Sequence, residues 1–506
     1  MKLNKKSLLQ LLYNIDKEFK NSYVVGGILR DIIIEKKFLF DTKEYLDIDI
    51  IIENLKMNKL KNIIQKINLP FVILDEENKI YRTIIKNDKI IINIDISSYT
   101  NLKEDILRRD FTINTLCIKL NYLIRYLNTR NKNLITKNLV DLTNRALKDI
   151  KNKVLSVVEE NNIKEDPLRI LRAARFICYG FRIDKKAENL CVKYKSLLKY
   201  VAKERINEEI KKIFNFNSYN VLEWLDKNKI LEEVIPEIEI LKVKGKNTKF
   251  KKFYFHKEGL WQHTKLTYKK LEKIVNNLNK YYPEYHKDIY PEIQKYVYLL
   301  KLASIFHDIA KPLVAKKEKN KVRFFHHEIE SAEISFKILK DLKFSNDEIK
   351  LVYEIIKNHM RVGSLFNNCQ SLTERAYLKL FTETEKFLYL LLIICLADRL
   401  SYEVVPIEER KKYFKNFQPI KKFIEFENLV LEKYKKYKIK SSLPKLINGY
   451  DVMKNLNISP GPTVGKILKL IEEAQILGKI STKNEAIKLA KQYYKKLYKT
   501  FVEKKC

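Results

Sequence analysis

Val24-Val25-Gly26-Gly27-Ile28-Leu29-Arg30-Asp31 and, a few residues on, Leu46-Asp47-Ile48-Asp49-Ile50-Ile51-Ile52 decide how the N-terminal part of this chain folds. The first stretch reads as strand, tight turn and helix: β-branched residues, two glycines, then a helical apolar run. The second reads as a strand. Asp47 and Asp49, two apart, project from one face, while Ile48 and Ile50 project from the other. Two adjacent carboxylates repel unless a cation neutralises them, and hard oxygen ligands suit Mg²⁺. Two such ions about 3.5–4 Å apart can activate an attacking hydroxyl and stabilise a leaving phosphate. Asp95, in Asn93-Ile94-Asp95-Ile96, can supply a third carboxylate from a neighbouring strand. Asp-x-Asp alone also describes a solvated strand edge. The Gly26-Gly27 turn favours the metal-site reading, because its backbone N–H groups can approach a triphosphate and Arg30 follows one turn later, although Gly-Gly alone also describes a plain tight turn.

Working outward, the strand pattern continues at Tyr23–Val25, Leu46–Ile52 and Lys89–Ile96, and helical patterns at Ile28–Lys36 and Leu55–Ile67. The first 120 residues therefore read as a small mixed α/β domain. From about residue 145 the strand signal largely disappears and Lys/Glu/Leu/Ile helical patterns run to the end. With 506 residues the chain is long enough for several domains. Lys plus Arg number 100 against 63 Asp plus Glu, a net charge of +37, which favours a polyanionic partner. A Lys-rich composition bias would produce the same excess, so charge alone does not decide. The six cysteines form no CxxC pair, which suits a reducing cytoplasm. The apolar runs fall short of the ~18 residues of a membrane span. The N-terminal segment reads as an amphipathic helix rather than a secretory signal.

Glu104-Asp105-Ile106-Leu107-Arg108-Arg109-Asp110-Phe111-Thr112-Ile113-Asn114 completes the set. Together with Gly-Gly-x-Leu-Arg-Asp and Asp-x-Asp, it resembles the class II tRNA nucleotidyltransferase and bacterial poly(A) polymerase family. The resemblance implies an α+β chain: a polymerase-β-like nucleotidyltransferase head over 1–146, then an all-α neck over 147–240, with nucleotide selector and RNA binding. An HD domain over 241–405 and a helical tail over 406–506 follow. It implies Mg²⁺ on Asp47 and Asp49, with Asp95 in the catalytic set. Gly26, Gly27, Arg30, Arg108, Arg109 and Asp110 fall at the family's ribose and triphosphate positions, and Arg109 is the nearer ligand of its pair.

Glu165-Asp166-Pro167-Leu168-Arg169 reads as a helix start, with Pro167 at the first helical position behind an acidic cap. Asp166 and Arg169, three apart, share a face. An acceptor beside a fork of donors matches cytosine and adenine and leaves guanine and uracil mispaired. An ordinary capped helix with a basic face would look the same in isolation. The matching family motif is the protein template for CTP and ATP, and Arg172 and Arg175 continue its stripe. Glu204–Glu209 resembles a further family motif, which implies a brace for that helix.

All seven histidines lie between 256 and 359. The order His263, His307-Asp308, His326-His327, His359, Asp398 resembles the HD metal-dependent phosphohydrolase domain. His263, His307, Asp308 and Asp398 then form the basic set for a second divalent metal, and His327 and His359 extend it. Residues 326 and 327 remain alternatives at this stage. Near the end, Asn448–Asp451 and Ile458–Ile467 resemble the tail of HD-containing members.

One departure bears on the product. The family carries a flexible loop of about twenty residues between the third carboxylate and the Arg-Arg-Asp motif. Here Asp95 is followed by Ile-Ser-Ser-Tyr-Thr-Asn-Leu-Lys and Glu104 already opens the next motif. In the family that loop switches the pocket from CTP to ATP, and its loss resembles enzymes that add only two cytidines. Thr115 replaces the usual Ala. The resemblance thus implies a Mg²⁺-dependent enzyme adding CMP, and AMP where the switch works, to the 3′ end of tRNA without a nucleic-acid template. Its partners are tRNA, CTP and ATP, with no membrane and no stable protein partner. The rival readings are a poly(A) polymerase and an RNA-binding HD phosphohydrolase with an inactive nucleotidyl site.

Overall fold

Alternating burial along Tyr45–Glu53 shows why this segment is a central strand: Leu46, Ile48 and Ile50 are buried on one side, while Asp47 is exposed and Asp49 half-buried on the other. A computed structural model describes residues 2–35, 45–86, 90–244, 259–318, 321–402 and 419–502. The expected helix end at Lys36, the strand start at Lys89 and the domain boundary at 405 lie outside the described residues. The chain divides into two units, Met1–Pro236 and Glu237–Cys506.

The N-terminal unit holds a seven-stranded mixed sheet. Its strands are β1 (Ser22–Val25), β2 (Tyr45–Glu53), β3 (Val72–Asp75), β4 (Ile80–Lys86), β5 (Ile91–Tyr99), β6 (Leu116–Lys119) and β7 (Val140–Asp141). The order across the sheet is β3-β4-β5-β2-β1-β6-β7, so the three strands expected from sequence form its centre. β2 and β5 run parallel and place Asp49 beside Asp95; β1 and β2 run antiparallel and place Val25 beside Asp49. β4, unmarked in the sequence reading, sets Arg82 opposite Asp95.

Helix α1 (Lys2–Glu18) buries Leu8, Leu11, Leu12 and Ile15, the i, i+3, i+4, i+7 stripe of an amphipathic helix. α2 (Gly27–Ile34) and α3 (Met57–Lys66) match the expected helices closely. α4 (Leu102–Leu107) is capped by Asn101, whose side chain accepts from the N–H groups of Lys103 and Glu104. Only Thr100 and Asn101 separate β5 from α4, so the expected short connection is present. The helical part of this unit includes α5 (Glu160–Glu165), α6 (Arg169–Cys178) and α7 (Lys203–Phe214).

One local expectation is corrected. The helix after Glu165 does not start at Pro167. Residues 166–168 form a turn, with N–H donation from Arg169 to the Asp166 carbonyl at 3.1 Å, and α6 begins at Arg169. The Asp166 carboxylate makes no cap. It is drawn instead to Arg205 at 3.0 Å, a stronger, charge-assisted partner than a helix N–H.

Among the described residues the C-terminal unit is helical apart from one short two-stranded ribbon, Lys316–Glu318 with Lys321–Arg323. Its core helices are α8 (Leu260–Val275), α9 (His286–Phe306), α10 (His327–Asp341), α11 (Asn346–Asn367) and α12 (Leu388–Ser401). α11 opens on a full capping box between Ser345 and Glu348. α12 is buried nearly throughout, Leu388 to Ala397, which explains its unbroken apolar sequence. Farther on come α13 (Ile420–Ser441), α14 (Gly449–Leu456), α15 (Pro462–Ile476) and α16 (Lys483–Val502). The last three share a small core of Ile447, Val452, Val464, Ile467, Ile471 and Ala486. Among the described residues no helix is long and apolar enough to cross a membrane.

Candidate functional site

The β1–α2 turn meets the carboxylates at Gly26. Its φ of 76° lies in the left-handed region, and a Cβ there would stand 3.0 Å from both Arg109 Nη1 and Asp49 Oδ2. Only glycine lets the turn pass between that guanidinium and that carboxylate. Gly27 opens α2 against Arg30, whose Nη2 lies 3.4 Å from where a Cβ would be.

Asp47, Asp49 and Asp95 form one acidic face. Asn93 donates to Asp47 Oδ1 at 3.1 Å, and Asn93 also bonds the Tyr45 hydroxyl. Burial, opposed in part by Arg109 but reinforced by Asp95 and Asp47, pushes the Asp49 carboxyl up to about 6. Asp95 is held bidentately by Arg82, Nε to Oδ1 at 2.7 Å and Nη2 to Oδ2 at 2.8 Å. The sequence does not single out Arg82, nor Asn93 as a partner of Asp47. The buried–exposed alternation of Ile80–Lys86 is a readable strand signal, but the pairing that brings Arg82 to Asp95 is not local.

The arginines of the motifs divide into two groups. Arg108 is exposed and pairs with Asp105 at 2.7 Å, whereas Arg109 stays beside Gly26, 3.5 Å from Asp105. Arg109 Nε is buried without a hydrogen-bond partner. Asn162 fastens this corner by donating to the carbonyls of Leu107 at 2.8 Å and Arg109 at 2.6 Å. Arg30, by contrast, is engaged: Nη1 donates to Asn114 Oδ1 at 2.8 Å, while Nε and Nη2 bind Asp31. Asp110 is buried and receives Arg172 at 2.7 Å, Asn114 Nδ2 at 2.8 Å and the Phe111 N–H at 2.8 Å. Burial raises its carboxyl, but Arg172, Asn114 and the Phe111 N–H outweigh burial and hold it below the usual range.

Asp166 and Arg169 stand 3.9 Å apart, and Arg169 Nη1 donates to the Asn162 carbonyl at 2.9 Å. Asp166 Oδ1 is buried without a hydrogen-bond partner. Arg205 reaches Asp166 at 3.0 Å and Glu209 receives Arg175 at 3.0 Å, so the 204–209 segment does brace this helix.

The C-terminal unit gathers the six expected HD residues from separate segments. His263 comes from α8, His307-Asp308 from the end of α9, His327 from the start of α10, His359 from α11 and Asp398 from α12. His263 Nε2 lies 3.2 Å from both Asp308 Oδ2 and Asp398 Oδ1; His307 Nε2 lies 3.4 Å from Asp308. His327 and His359 approach Asp308 Oδ1 at 3.4 and 3.7 Å. They form two ligand groups, His263/His307/Asp398 and Asp308/His327/His359. His326 is exposed at the helix cap with φ 61°, so the helix start selects His327.

Backbone carbonyls orient these rings. Nδ1 of His307, His327 and His359 donates to Ser304, Phe324 and Ile356 carbonyls at 2.8, 2.8 and 2.6 Å. A carbonyl only accepts, so Nδ1 carries the proton and the Nε2 lone pair faces inward. Nε2 of these three rings, Asp308 Oδ1 and Asp398 Oδ1 are buried without hydrogen-bond partners. Lys311 Nζ, 2.5 Å from Asp308 Oδ2, was not anticipated. Burial raises the Asp308 carboxyl, but His307, Lys311 and the neighbouring imidazoles hold it well below the carboxylate range. Burial, then His327 and His307, drives His359 down to about 3, so that ring stays neutral and able to ligate.

Comparison with known proteins covers most of the chain. Residues 22–156 match the poly A polymerase head domain, and 180–241 match a "Probable RNA and SrmB-binding site of polymerase A". Residues 316–490 match tRNA nucleotidyltransferase domain 2. The CC-adding tRNA nucleotidyltransferase of Thermus thermophilus is 24% identical over 486 residues, 92% of this chain and 92% of that protein. The A-adding tRNA nucleotidyltransferase of Deinococcus radiodurans is 25% identical over 398 residues, 76% of this chain and 78% of that protein. Among solved structures, the Thermotoga maritima CCA-adding enzyme complexed with tRNA has a TM-score of 0.55 at 18% identity, covering 96% of this chain and 95% of that one.

Proposed function

The chain belongs to the tRNA nucleotidyltransferase and poly(A) polymerase family, and we propose from that premise that it extends the 3′ end of tRNA with CMP from CTP, Asp47 and Asp49 forming the reaction centre. The observation that carries this reading is the contact set at Gly26, where one glycine turn brings Asp49 and Arg109 together. In the reaction the terminal ribose hydroxyl attacks the α-phosphate. A new P–O bond forms, the bond to the β-phosphate breaks, and pyrophosphate leaves.

The residues fit a divalent cation. Three carboxylates share one face, and Asp49 is pushed up to about 6 by burial and by its two acidic neighbours. Mg²⁺ held by Asp47 and Asp49 would supply the positive charge that both the attacking and leaving oxygens need. Arg109 positions the triphosphate with the N–H groups at the start of α2. Arg30, bound to Asn114 and Asp31, acts by holding the motif together. Asp166 accepts from the cytosine or adenine amino group and Arg169 donates to the neighbouring ring nitrogen. Arg172 and Arg175 stay with Asp110 and Glu209 and keep the base reader rigid.

The product reading rests on the two-residue connection between β5 and α4. With no lever there to reshape the selector after two additions, we infer efficient CC addition and poor addition of the terminal A. The relatives include both CC-adding and A-adding enzymes, so similarity alone does not choose. The deciding experiment incubates tRNA lacking its end with each labelled NTP and reads product length. A full CCA end from CTP, ATP and Mg²⁺ overturns the CC reading. A long adenylate tract from ATP with no use of CTP overturns tRNA end addition in favour of poly(A) synthesis.

In the C-terminal unit, His263, His307, Asp308, His327, His359 and Asp398 would hold a second divalent metal of the HD type. The inward-facing Nε2 atoms of His307, His327 and His359, buried beside Asp308 without a hydrogen-bond partner, support this. We keep the division into head, neck, HD domain and tail, and a cytoplasmic location, as part of the proposal. The free thiols Cys117, Cys178, Cys191, Cys369 and Cys395 are compatible with that location.

A further inference from the structure

At the far end of the selector helix two aromatic side chains remain at the surface. Tyr179 is 39% and Phe216 43% exposed, and their rings meet edge to face at 4.9 Å. Tyr179 follows the last residue of α6, and Phe216 lies two residues beyond α7. Gly180, with φ 85°, turns the chain directly after Tyr179. Both rings are uncharged and each keeps more than a third of its surface open, room for a planar group to lie against.

The surroundings suit a nucleobase. On α6 the spacing 169, 172, 176, 179 puts Arg169, Arg172, Phe176 and Tyr179 on one helix face. Phe176 touches Tyr179 edge to face at 5.9 Å and carries the Arg30 guanidinium over its ring at 5.1 Å. Along the helix the exposed pair thus lies about 15 Å from the base reader, with the buried Phe176 between them. The exposed Lys153 has its ammonium 3.8 Å from where a Gly180 Cβ would stand, and Lys211 and Lys212 close the last turn of α7 before Phe216. Aromatic faces flanked by cations are the common way to hold an unpaired base and its phosphate. The family match over 180–241, described as an RNA-binding site, contains Gly180 and Phe216.

We propose that Tyr179 and Phe216 form a stacking platform for an unpaired base of the RNA substrate, upstream of its growing 3′ end. This rests on the reading of the protein as a tRNA 3′-end nucleotidyltransferase. The platform gives affinity for a single-stranded tail without reading its sequence, because every base offers a π-face.

The test compares two RNAs in nucleotide-free binding: an acceptor-stem minihelix with an unpaired 3′ tail and the same minihelix with a blunt end. Tyr179→Leu and Phe216→Leu keep apolar volume and remove the ring; Tyr179→Phe and Phe216→Tyr keep the ring. The leucine variants should weaken binding of the tailed RNA by about 5- to 100-fold. They should leave the blunt RNA, the KM for CTP and the melting temperature unchanged, and the ring-keeping variants should bind normally. Equal weakening on both RNAs, or none, overturns the platform and leaves the pair as a packing or protein-contact feature. If the wild type binds the tailed RNA through these rings yet adds no CMP, the platform stands and the enzymatic reading falls. If it adds CMP and the leucine variants bind normally, the platform alone falls.

Discussion

The acidic site of the N-terminal unit and the histidine site of the C-terminal unit solve opposite electrostatic problems. The first sets three carboxylates on a strand face, half open to water, with Asp49 pushed up to about 6 by burial and like charge. Such a site is strained until a cation arrives, which suits a metal that comes and goes with a triphosphate. The second is buried except for the partly exposed Asp398, with imidazole rings already aimed inward by backbone carbonyls and Asp308 held well below the carboxylate range. That arrangement suits a resident ion. Under the proposed function, ligand chemistry and depth of burial together set a transient metal apart from a resident one.

The largest effect should separate the two sites. Asp49→Ala is expected to lower CMP addition by about 10³-fold or more, with metal retained by the histidine site. Activity within about tenfold of wild type would remove Asp49 from the reaction. Next, chelation followed by desalting should lower the melting temperature by about 5–10 °C, with recovery on adding back a divalent metal. A metal analysis showing no bound ion in the purified protein, with no thermal shift on addition, would break the idea of a resident ion.

A third change sharpens the view that several arginines near the acidic site act structurally. Arg172→Ala leaves the buried Asp110 without its 2.7 Å partner. Because one side of Arg172 meets solvent, the cost should be about 2 kcal/mol, below the range for a fully buried pair. The melting temperature should fall by about 4–8 °C, and Arg172→Lys should restore part of it. An unchanged melting temperature would reassign Arg172 to the substrate.

The smallest effect tests the strain itself. Asp49 has a folded-state pKa of about 6, above its ordinary value of 3.8. Its carboxylate therefore opposes folding at neutral pH, and that penalty fades as pH falls through 6 toward 4. In metal-free protein, Asp49→Asn should raise the melting temperature by roughly 2–4 °C at pH 7.5 and by about half as much at pH 5. Differential scanning calorimetry at the two pH values measures it; a gain that grows at low pH would reverse the argument.

Local patterns carried much of this. Asp47 and Asp49 announce themselves by a period of two in an apolar strand, and the two strands beside them were equally readable. His327 needed the fold: His326 takes a left-handed backbone at the helix cap, and only then does the next ring turn inward. The start of α6 differs from the local pattern because Pro167 is acceptable both in a first helical turn and in the turn before it. Arg205, from a distant helix, took the carboxylate that would have capped it.

The sequence by itself determined the chemistry: which residues carry negative charge, which offer nitrogen ligands, and how the Gly26 turn must bend. Only the tertiary structure decided which arginines are held by protein partners. Arg30, Arg172 and Arg175 are engaged by Asn114, Asp110 and Glu209, while Arg109 remains beside Asp49. A buried guanidinium or carboxylate must find a partner to offset its lost hydration, and that partner comes from residues 34 to 84 positions away in the pairs Arg175–Glu209 and Arg30–Asn114. Distances of that kind are set by how strands and helices pack, and no local pattern encodes them.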